Sequence, residues 1–273
     1  MLIGNTRIGG IGSLSIKNTY DEDALNYLTA VEAADGQALE SSVKSAINTF
    51  VVGCKADGIW DAIVACCIMA GARTVAGAIV PLRGNAPTNN NFVAGDYSRT
   101  LGLLGDDSNK YLATDYNNND TTNFPQDNSH ISCYVSASQS DASGVLVGTQ
   151  SALGSILNIA YLSQTQIFFR NRAGSSRLFS AAPLGFQAST RNNSANFSSR
   201  ATQSGGGISD TTTTVASTAP NSNLFGVFCG FSGATANQFS AARMSFYSIG
   251  KSLSIPNLDT RVTTLMSTLN ALL

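Results

Sequence analysis

The sequence predicts a mainly β protein, in which an N-terminal helical unit precedes an antiparallel β-sandwich and a C-terminal helix follows it. Three observations lead to this fold class. Apolar residues in the first third recur at three- and four-residue spacing, which is typical of helices. From about Ala86 to Leu253, short apolar segments alternate with turns rich in Ser, Thr, Asn and Gly, which favours antiparallel strands. Helical spacing returns in the last residues.

The same patterns divide the chain into four parts. We predict an N-terminal arm at residues 1–19, a helical module at 20–85, a β-sandwich at 86–255 and a C-terminal helix at 256–273. The arm, with Ile8 and Ile11 as candidate assembly residues, has too few side chains to stabilise itself. It lies either on its own domain or along the sheet edge of a neighbouring subunit, and both alternatives stay open.

Three helices are predicted in the helical module. Asp21 is a suitable N-cap for the first, and Gly36 suits its end. Gly53 is the expected stop of the second, and the third is apolar on most sides, which is typical of a buried helix. Val75 to Leu82 is predicted as a strand or extended segment. The predicted helices are Asp21 to Ala33, Ala38 to Val52 and Ile59 to Ala70.

The stretch from Ile59 to Leu82 is the one candidate for a transmembrane segment. Asp61 and Arg73 divide it into pieces shorter than the roughly 20 apolar residues that a spanning helix needs. The residues Met1 to Ile16 have no charged region followed by a continuous apolar stretch, so a signal peptide is not expected. We therefore predict no membrane insertion and a buried role for this stretch.

Eleven strands are predicted in the sandwich, and the segments Tyr116 to Asn128 and Gly205 to Asn223 are predicted as long polar loops. The strands are Phe92-Val93, Leu101 to Leu104, Lys110 to Ala113, His130 to Ser136, Gly144 to Gly148, Leu157 to Leu162, Thr165 to Arg170, Gly185 to Ala188, Asn196 to Arg200, Leu224 to Phe231 and Ala241 to Ile249.

The predicted last helix, Leu258 to Leu272, has a heptad-like apolar seam of about two heptads. That is shorter than the three to four heptads that indicate a coiled coil. The helix either docks on the N-terminal helices, which we favour, or forms a short dimer or trimer contact. Its candidate assembly residues are Leu258, Val262, Leu265 and Leu269.

Composition argues against several classes of function. Charged residues make up 12% of the chain, about half the usual share of roughly 25%, and the net charge is −1. Since there is no long basic run, nucleic acid is not an expected partner. The five cysteines are odd in number and lack a CxxC pair, so we expect buried thiols in a protein that folds in a reducing cytoplasm.

No catalytic site is predicted, and we do not expect an enzyme. His130 is the single histidine, and it opens a predicted central strand, where a structural role is more common than a catalytic one. No G-x-S-x-G elbow surrounds a serine, and no strand carries the paired carboxylates that glycoside hydrolysis requires. No zinc site is expected, because the cysteines are unsuitably spaced.

Two weaker sites are predicted in polar loops. An oxygen-rich group of Asp residues would be the place for a Ca²⁺ ion, although turn formation is the commoner reason for such residues. The aromatic side chains Tyr116 and Phe124, with Asn118 between them, are candidates for glycan binding, although aromatic residues in a sandwich more often belong to its core. The acidic candidates are Asp106, Asp107, Asp115 and Asp120. No other cofactor is expected.

Several segments resemble known families. The segments TLGLLGDDSNKYL, from Thr100 to Leu112, and SAARMSFYSIGKSL, from Ser240 to Leu253, resemble strands of laminin-G-like sandwiches, which have a concanavalin A-like jelly-roll fold. The run FVVGCKADGIWDAI…AGARTVAGAIVPL, from Phe50 to Leu82, is similar to a run in structural proteins of tailed bacteriophages. That resemblance extends over about Asp23 to Leu273, and this run is its most specific part.

This resemblance implies a non-enzymatic virion component, which is assembled in the host cytoplasm and acts through contacts with other virion proteins. A place in the tail, as part of the baseplate, neck or fibre, is the first expectation, and a homo-oligomer, with a trimer favoured, is the expected assembly. The alternatives are a peripheral adhesion protein that binds a glycan of the host surface, or a head decoration or fibre protein.

Overall fold

The computed structural model describes residues 20–137, 143–150, 155–180, 182–203 and 205–273. In these ranges the chain is mainly β, with antiparallel sheets, helices at the N-terminal side and a C-terminal helix, as the sequence predicts. The predicted arm, with Ile8 and Ile11, lies outside the described residues, so its role stays a prediction.

The helices are α1 (Glu22–Asp35), α2 (Ser41–Ala56), the single-turn α3 (Val75–Ala78) and α4 (Ile255–Leu272). The strands are β1 (Ile63–Ile68), β2 (Thr88–Asn90), β3 (Tyr97–Ser98), β4 (Gly102–Leu104), β5 (Tyr111–Asn117), β6 (Ser129–Ala137), β7 (Gly144–Gly148), β8 (Leu157–Ser163), β9 (Gln166–Asn171), β10 (Arg177–Phe179), β11 (Pro183–Arg191), β12 (Asn196–Gln203), β13 (Ile208–Thr214), β14 (Leu224–Val227), β15 (Gly230–Ser232), β16 (Thr235–Asn237) and β17 (Arg243–Gly250).

Two large antiparallel sheets form the sandwich. The eight-stranded sheet has the order β13-β12-β11-β6-β17-β4-β3, and β1 also pairs with β17. The seven-stranded sheet has the order β10-β9-β8-β7-β14-β5-β2, and β15 and β16 form a separate hairpin. Since consecutive strands often belong to different sheets, residues distant in sequence meet at the ends of the sandwich.

Two apolar cores stabilise the fold. The first lies between the sheets, where side chains from both inner faces, such as Val135 of β6 and Phe169 of β9, are fully buried. The second lies between the outer face of the eight-stranded sheet and the helices. There the ring of Phe50 of α2 meets that of Phe246 of β17 edge-on, with centroids 5.9 Å apart. The helices therefore cover one face of the sandwich.

The boundaries of α1 agree with the prediction from its capping residues. The Asp21 carboxylate accepts a hydrogen bond from the Asp23 backbone N–H at 3.0 Å, which satisfies a donor that the helix itself leaves free. Glu22 and Asp23 lie at the positive end of the helix dipole. Gly36 ends the helix in the left-handed conformation, with φ at 65°.

The predicted stop at Gly53 is wrong, since α2 continues to Ala56. Gly53 instead permits a close helix contact. A Cβ at this position would lie 2.8 Å from Nε of Arg261 on α4. The sequence pattern predicts a helix end at Gly53, whereas the role of this glycine depends on a helix more than 200 residues away in sequence.

The third predicted helix, Ile59 to Ala70, is also wrong, because this segment forms β1 after a 3₁₀ turn at Trp60–Ala62. Both faces of β1 are buried: Cys66 and Ile68 pack toward the helices, while Ala65 and Cys67 pack into the core between the sheets. A short segment that is apolar on all sides has the same periodicity as a buried helix, so the pattern could not distinguish the two.

Four smaller differences follow from local conformation. Val75 to Leu82 begins with α3, whose first turn is capped by the Thr74 hydroxyl, so it is not a strand there. The predicted loop from Gly205 to Asn223 contains β13. Phe92-Val93 is not a strand. Leu224 to Phe231 divides into β14 and β15, since Phe228 has a φ of 66° that interrupts the extended chain.

In the described ranges, no helix combines the length and the apolar character that crossing a membrane requires.

Candidate functional site

The predicted glycan-binding residues do not form an exposed aromatic platform. The Phe124 ring is completely buried, edge-on to Tyr116 at 5.7 Å and to Phe225 at 5.0 Å. The Tyr116 hydroxyl accepts a hydrogen bond from the Asn85 N–H at 3.2 Å. The prediction of an exposed Phe124 is therefore wrong: its ring belongs to the core, which polar neighbours in the sequence concealed.

Asn118 is fully buried as well, and it binds Arg172. The Arg172 Nη2 donates to both the carbonyl and the Oδ1 of Asn118 at 2.9 Å, while Nη1 donates to the Pro125 carbonyl. Burial lowers the pKa of Arg172 to about 10. Asn118 therefore fixes a buried guanidinium at the end of the sandwich, and it is not available to a ligand.

Two of the four predicted ion-binding aspartates, Asp106 and Asp120, shape turns. The Asp106 carboxylate accepts hydrogen bonds from the backbone N–H groups of Ser108, Asn109 and Lys110 at 2.9–3.0 Å. Although burial raises its pKa, these donors bring the pKa below its usual value. Asp120 accepts from Thr122 and Asn123 in the same way.

Asp107 and Asp115 adopt positive φ angles of 56° and 60°, a conformation that short polar side chains tolerate. Within the described ranges, no three His, Cys, Asp or Glu side chains are grouped so that they could hold a metal ion. The turn-forming alternative therefore accounts for Asp106 and Asp120, whereas Asp115 lies within β5. The Ca²⁺ site stays a prediction without a supporting cluster.

The candidate assembly residues of α4 are buried inside this chain. Leu258, Val262, Leu265 and Leu269 pack in the core between the helices and the eight-stranded sheet, each no more than 5% exposed. The prediction that these four side chains form a contact between subunits is therefore wrong, because they already pack inside this chain. The favoured alternative, in which the last helix docks on the N-terminal helices, agrees with the structure, because α4 packs against α2.

The groups with nucleophilic or acid–base potential are also held in the core. His130 opens β6, where its Nδ1 donates to the Lys251 carbonyl at 2.5 Å and its Nε2 accepts from Ser248 at 3.0 Å. Burial lowers the pKa of His130 to about 4. All five cysteines are free thiols and buried, as predicted, and burial raises the pKa of Cys67 to about 12.

A surface pocket of about 470 Å³ surrounds Trp60 and carries several charges. The Lys55 ammonium and the Arg83 guanidinium lie 5.6 and 4.9 Å from the indole ring. Lys55 forms ion pairs of 2.6 Å with Asp21 and Asp23. Because the two cations cover the indole ring, the pocket offers no stacking face to a ligand, and Lys55 is already paired with two carboxylates.

A pocket of a different kind lies between the C-terminal half of α4 and the outer face of the eight-stranded sheet, and we name it the α4 pocket. Its volume is about 300 Å³, close to the lower end of the roughly 300–1,000 Å³ typical of small-molecule sites. Leu101 and Met266 supply apolar surface. Its polar lining residues are Thr100, Tyr134, Ser136, Ser245, Ser267 and Asn270.

Ser245 is the distinctive residue of the α4 pocket. It lies at an irregularity in the pairing of β17 with β6, where Met244 is opposite Val135 and Phe246 is opposite Tyr134. Gly102, with φ at 81°, lies so close that a Cβ there would be 2.7 Å from the Ser245 Cα. The Ser245 side chain is only 1% exposed, and its Oγ has no hydrogen-bond partner in the described protein.

Comparisons with known proteins give likenesses of fold alone. No protein-family model matches the chain, and no curated protein sequence matches it either. Among solved structures, the receptor-binding domain of botulinum neurotoxin D has a TM-score of 0.44 and 13% identity, over 75% of this chain and 52% of that chain.

Two further structures are the CBM40 of the Ruminococcus gnavus IT-sialidase bound to α2,3 sialyllactose and domains LG4-5 of the mouse laminin α1 chain. The first has a TM-score of 0.35 and 11% identity over 50% of this chain and 81% of that chain. The second has a TM-score of 0.30 and 12% identity over 45% and 33%. The chain also spans 24% of the Streptococcus pneumoniae NanB sialidase. At these scores the likenesses carry no argument about function.

Proposed function

We propose that this chain is a non-enzymatic structural component of a tailed-bacteriophage virion and acts through protein–protein contacts, in the baseplate, neck or fibre of the tail. The observation that supports the proposal is the position of the run from Phe50 to Leu82, the most specific part of the resemblance to phage structural proteins. This run begins in α2 and continues through β1 in the eight-stranded sheet and through α3. It is thus part of the main body of the protein.

The chemistry of the interior fits a structural role. The imidazole of His130 and the buried cysteine thiols are engaged in packing and hydrogen bonds. The surface has few charges, since charged residues are 12% of the chain, and many of them pair with each other, as Arg99 does with Glu40 at 2.7 Å. Such a polar and nearly neutral surface suits contacts with other proteins of the same particle.

A genetic experiment tests this proposal. Deletion of the gene from the phage genome should give particles that lack a defined tail structure in electron micrographs, and the titre should fall by several orders of magnitude. Expression of the chain from a plasmid should restore both. Normal particles with an unchanged titre would contradict the proposal.

A second candidate function, a peripheral adhesion protein that binds glycans, is favoured by the α4 pocket. This pocket combines hydroxyl and amide groups with a tyrosine ring and lacks charged lining residues in the described part of the chain. Polar groups near an aromatic side chain are the elements with which proteins bind sugars. Both functions are compatible with one virion protein, because the pocket occupies a small part of the surface.

A further inference from the structure

We propose that β13 pairs with β13 of a second copy of this chain, antiparallel and across a two-fold axis that brings Thr211 opposite its own copy. The inference rests on the proposed structural role and deepens it, because it assigns one protein–protein contact to a defined strand. It requires a pair of copies at this edge, whereas the resemblance to phage proteins favours a trimer.

Four strands lie at the ends of the two large sheets in the described ranges, and β13 differs from the other three in length. It has seven residues, whereas β10 and β2 have three each and β3 has two. Its pairing with β12 continues without a shift in register from Thr214 to Ile208. Proteins commonly protect a sheet edge with a short strand, a lysine, a proline or a bulge, and β13 has none of these. Such a long and regular edge is a template for another strand.

Alternate residues of β13 direct their backbone groups away from β12. At one end of the ladder, the Gln203 N–H donates to the Gly207 carbonyl at 2.8 Å. At the other end, the Val215 N–H donates to the Ala195 carbonyl at 2.9 Å. Odd-numbered residues of β13 therefore bond to β12, and in an antiparallel ladder the residues between them face the other side. No strand of the described ranges pairs with that side. The residues that face it are Ile208, Asp210, Thr212 and Thr214.

Charge restricts the register of the proposed pair. Asp210 is the only charged residue of β13, and its carboxylate is bound by the Arg200 guanidinium at 2.6 and 2.7 Å. If Asp210 lay opposite its own copy, two like charges would face each other, which destabilises a strand pair. With Thr211 opposite its copy, Asp210 instead lies opposite Thr212 of the second copy, and no two charges face each other.

The length of β13 favours the same register. Thr211 is the middle residue of the strand, so all seven residues have a partner when it lies on the axis. A shift by two residues would leave two residues of each copy unpaired. In the centred register the even-numbered residues lie directly opposite one another, so their outward N–H and C=O groups can exchange hydrogen bonds.

The centred register also brings an exposed apolar side chain to a groove. Ile208 is 55% exposed. A groove of about 410 Å³ lies between β13 and the start of α4, and its lining includes Thr212, Leu253, Ile255 and Pro256. In the centred register, Ile208 of the second copy is the diagonal neighbour of Thr212 on the same face of the sheet. The exposed isoleucine of each copy therefore lies at the mouth of the other copy's groove, although it was not used to choose the register.

Sedimentation of the purified full chain tests the pair, and position 212 reports its register. The wild type should form a dimer whose fraction increases with concentration. Thr212→Lys places a cation opposite Asp210 of the other copy, whereas Thr212→Asp places a carboxylate there. Because threonine is lost in both variants, their dimers should differ mainly through charge, and Thr212→Asp should dissociate about tenfold more readily. The difference should shrink at high ionic strength.

Thr214 provides the matched control, because it is exposed on the same strand and faces the uncharged Ile208 in the centred register. Thr214→Lys and Thr214→Asp should differ much less than the two variants at position 212. Ile208→Thr should weaken the dimer about tenfold, since its apolar side chain is covered in both copies. Val93→Thr replaces another exposed apolar residue, outside β13, and should leave the dimer unchanged. Circular dichroism verifies that each variant is folded.

A monomer at every concentration up to about 1 mM would overturn the inference, because even a weak pair forms at that concentration. Equal dissociation of the two Thr212 variants would also overturn it, as would a charge effect at position 214 in place of 212 or a trimer that none of the β13 variants changes. Since the experiment uses the purified chain alone, these results leave the virion proposal standing. Absence of the chain from phage particles would in turn leave the β13 contact standing.

Discussion

Arg261 on α4 forms a two-point ion pair with Asp57 at the end of α2, with Nε–Oδ2 at 2.7 Å and Nη2–Oδ1 at 2.8 Å. To make this pair, the guanidinium crosses the helix surface directly above Gly53, where a Cβ would lie 2.8 Å from Nε. The N-terminal helices and the C-terminal helix are thus joined by a contact that leaves no room for a Cβ at position 53 unless the guanidinium moves.

Gly53→Ala should therefore have opposite effects in two backgrounds. In Arg261→Ala, the alanine should stabilise the chain by about 0.5–1 kcal/mol, because alanine favours the helix interior over glycine. In the wild type this gain should vanish or change sign, because the methyl group displaces the guanidinium from Asp57. Urea unfolding of the four proteins measures the coupling, and equal effects in both backgrounds would refute the contact.

His130 should make the protein less stable in acid. The folded state keeps the imidazole neutral down to a pKa of about 4, whereas the unfolded state takes up a proton near 6.5. Between these values the unfolded state binds more protons, so stability should decrease as the pH falls from 6.5 toward 4, by up to roughly 3 kcal/mol. His130 is the single histidine, so His130→Gln should remove most of the slope between pH 7 and 5. An unchanged slope in the variant would disprove the assignment.

Glu40 should stabilise the protein at neutral pH through its ionised carboxylate, whereas His130 does so through its neutral imidazole. The hydrogen bond from Arg99 is the largest of the causes that lower the pKa of Glu40 to about 2, and Arg73 also pairs with it at 3.0 Å. Its contribution is present above the ordinary pKa of 4.5 and is lost as the pH falls toward 2. Glu40→Gln should lower the urea midpoint at pH 7, and the deficit should shrink below pH 4.5. Asp107→Asn is the control, since Asp107 is exposed, forms no ion pair within the described residues, and has a positive φ that asparagine tolerates. A deficit of constant size at all pH values would argue against the pair.

Arg172→Met should destabilise the chain by about 3 kcal/mol, because it leaves the Asn118 Oδ1 and the Pro125 carbonyl buried without a donor. Arg172→Lys should restore little of the loss, since an ammonium group cannot reproduce the planar arrangement of donors. The control is Arg177→Met, whose Nε has no hydrogen-bond partner, and a change below about 1 kcal/mol is expected. Thermal and urea unfolding provide the comparison, and similar losses for both methionine variants would contradict the role of Arg172.

The helix ends and strands that depend on neighbouring residues in the sequence were predicted correctly. The caps Asp21 and Gly36 determined the bounds of α1, and strands such as β7 were found because turn residues flank them. Long-range contacts were the source of the errors. Gly53 is explained only by Arg261, and β1 only by its pairing with β17.

The candidate site was less predictable than the fold. Tyr116, Asn118 and Phe124 lie in a polar segment of the sequence, which predicts exposure, yet Asn118 and Phe124 are buried by contacts with Arg172 and Phe225. The sequence does not indicate that Ser245 lines a pocket, because the residues around it show only the ordinary pattern of a buried strand. Its position is determined by the irregular pairing of β17 with β6 and by the close approach of Gly102.

Quantitative mass spectrometry of density-purified phage particles tests the central claim most directly. A structural component should be present at a fixed copy number per particle, an integer multiple of its oligomeric state, and should stay with the particles through repeated purification. If the chain is abundant in the infected-cell lysate but absent from purified particles, the proposal that it is a virion component is wrong.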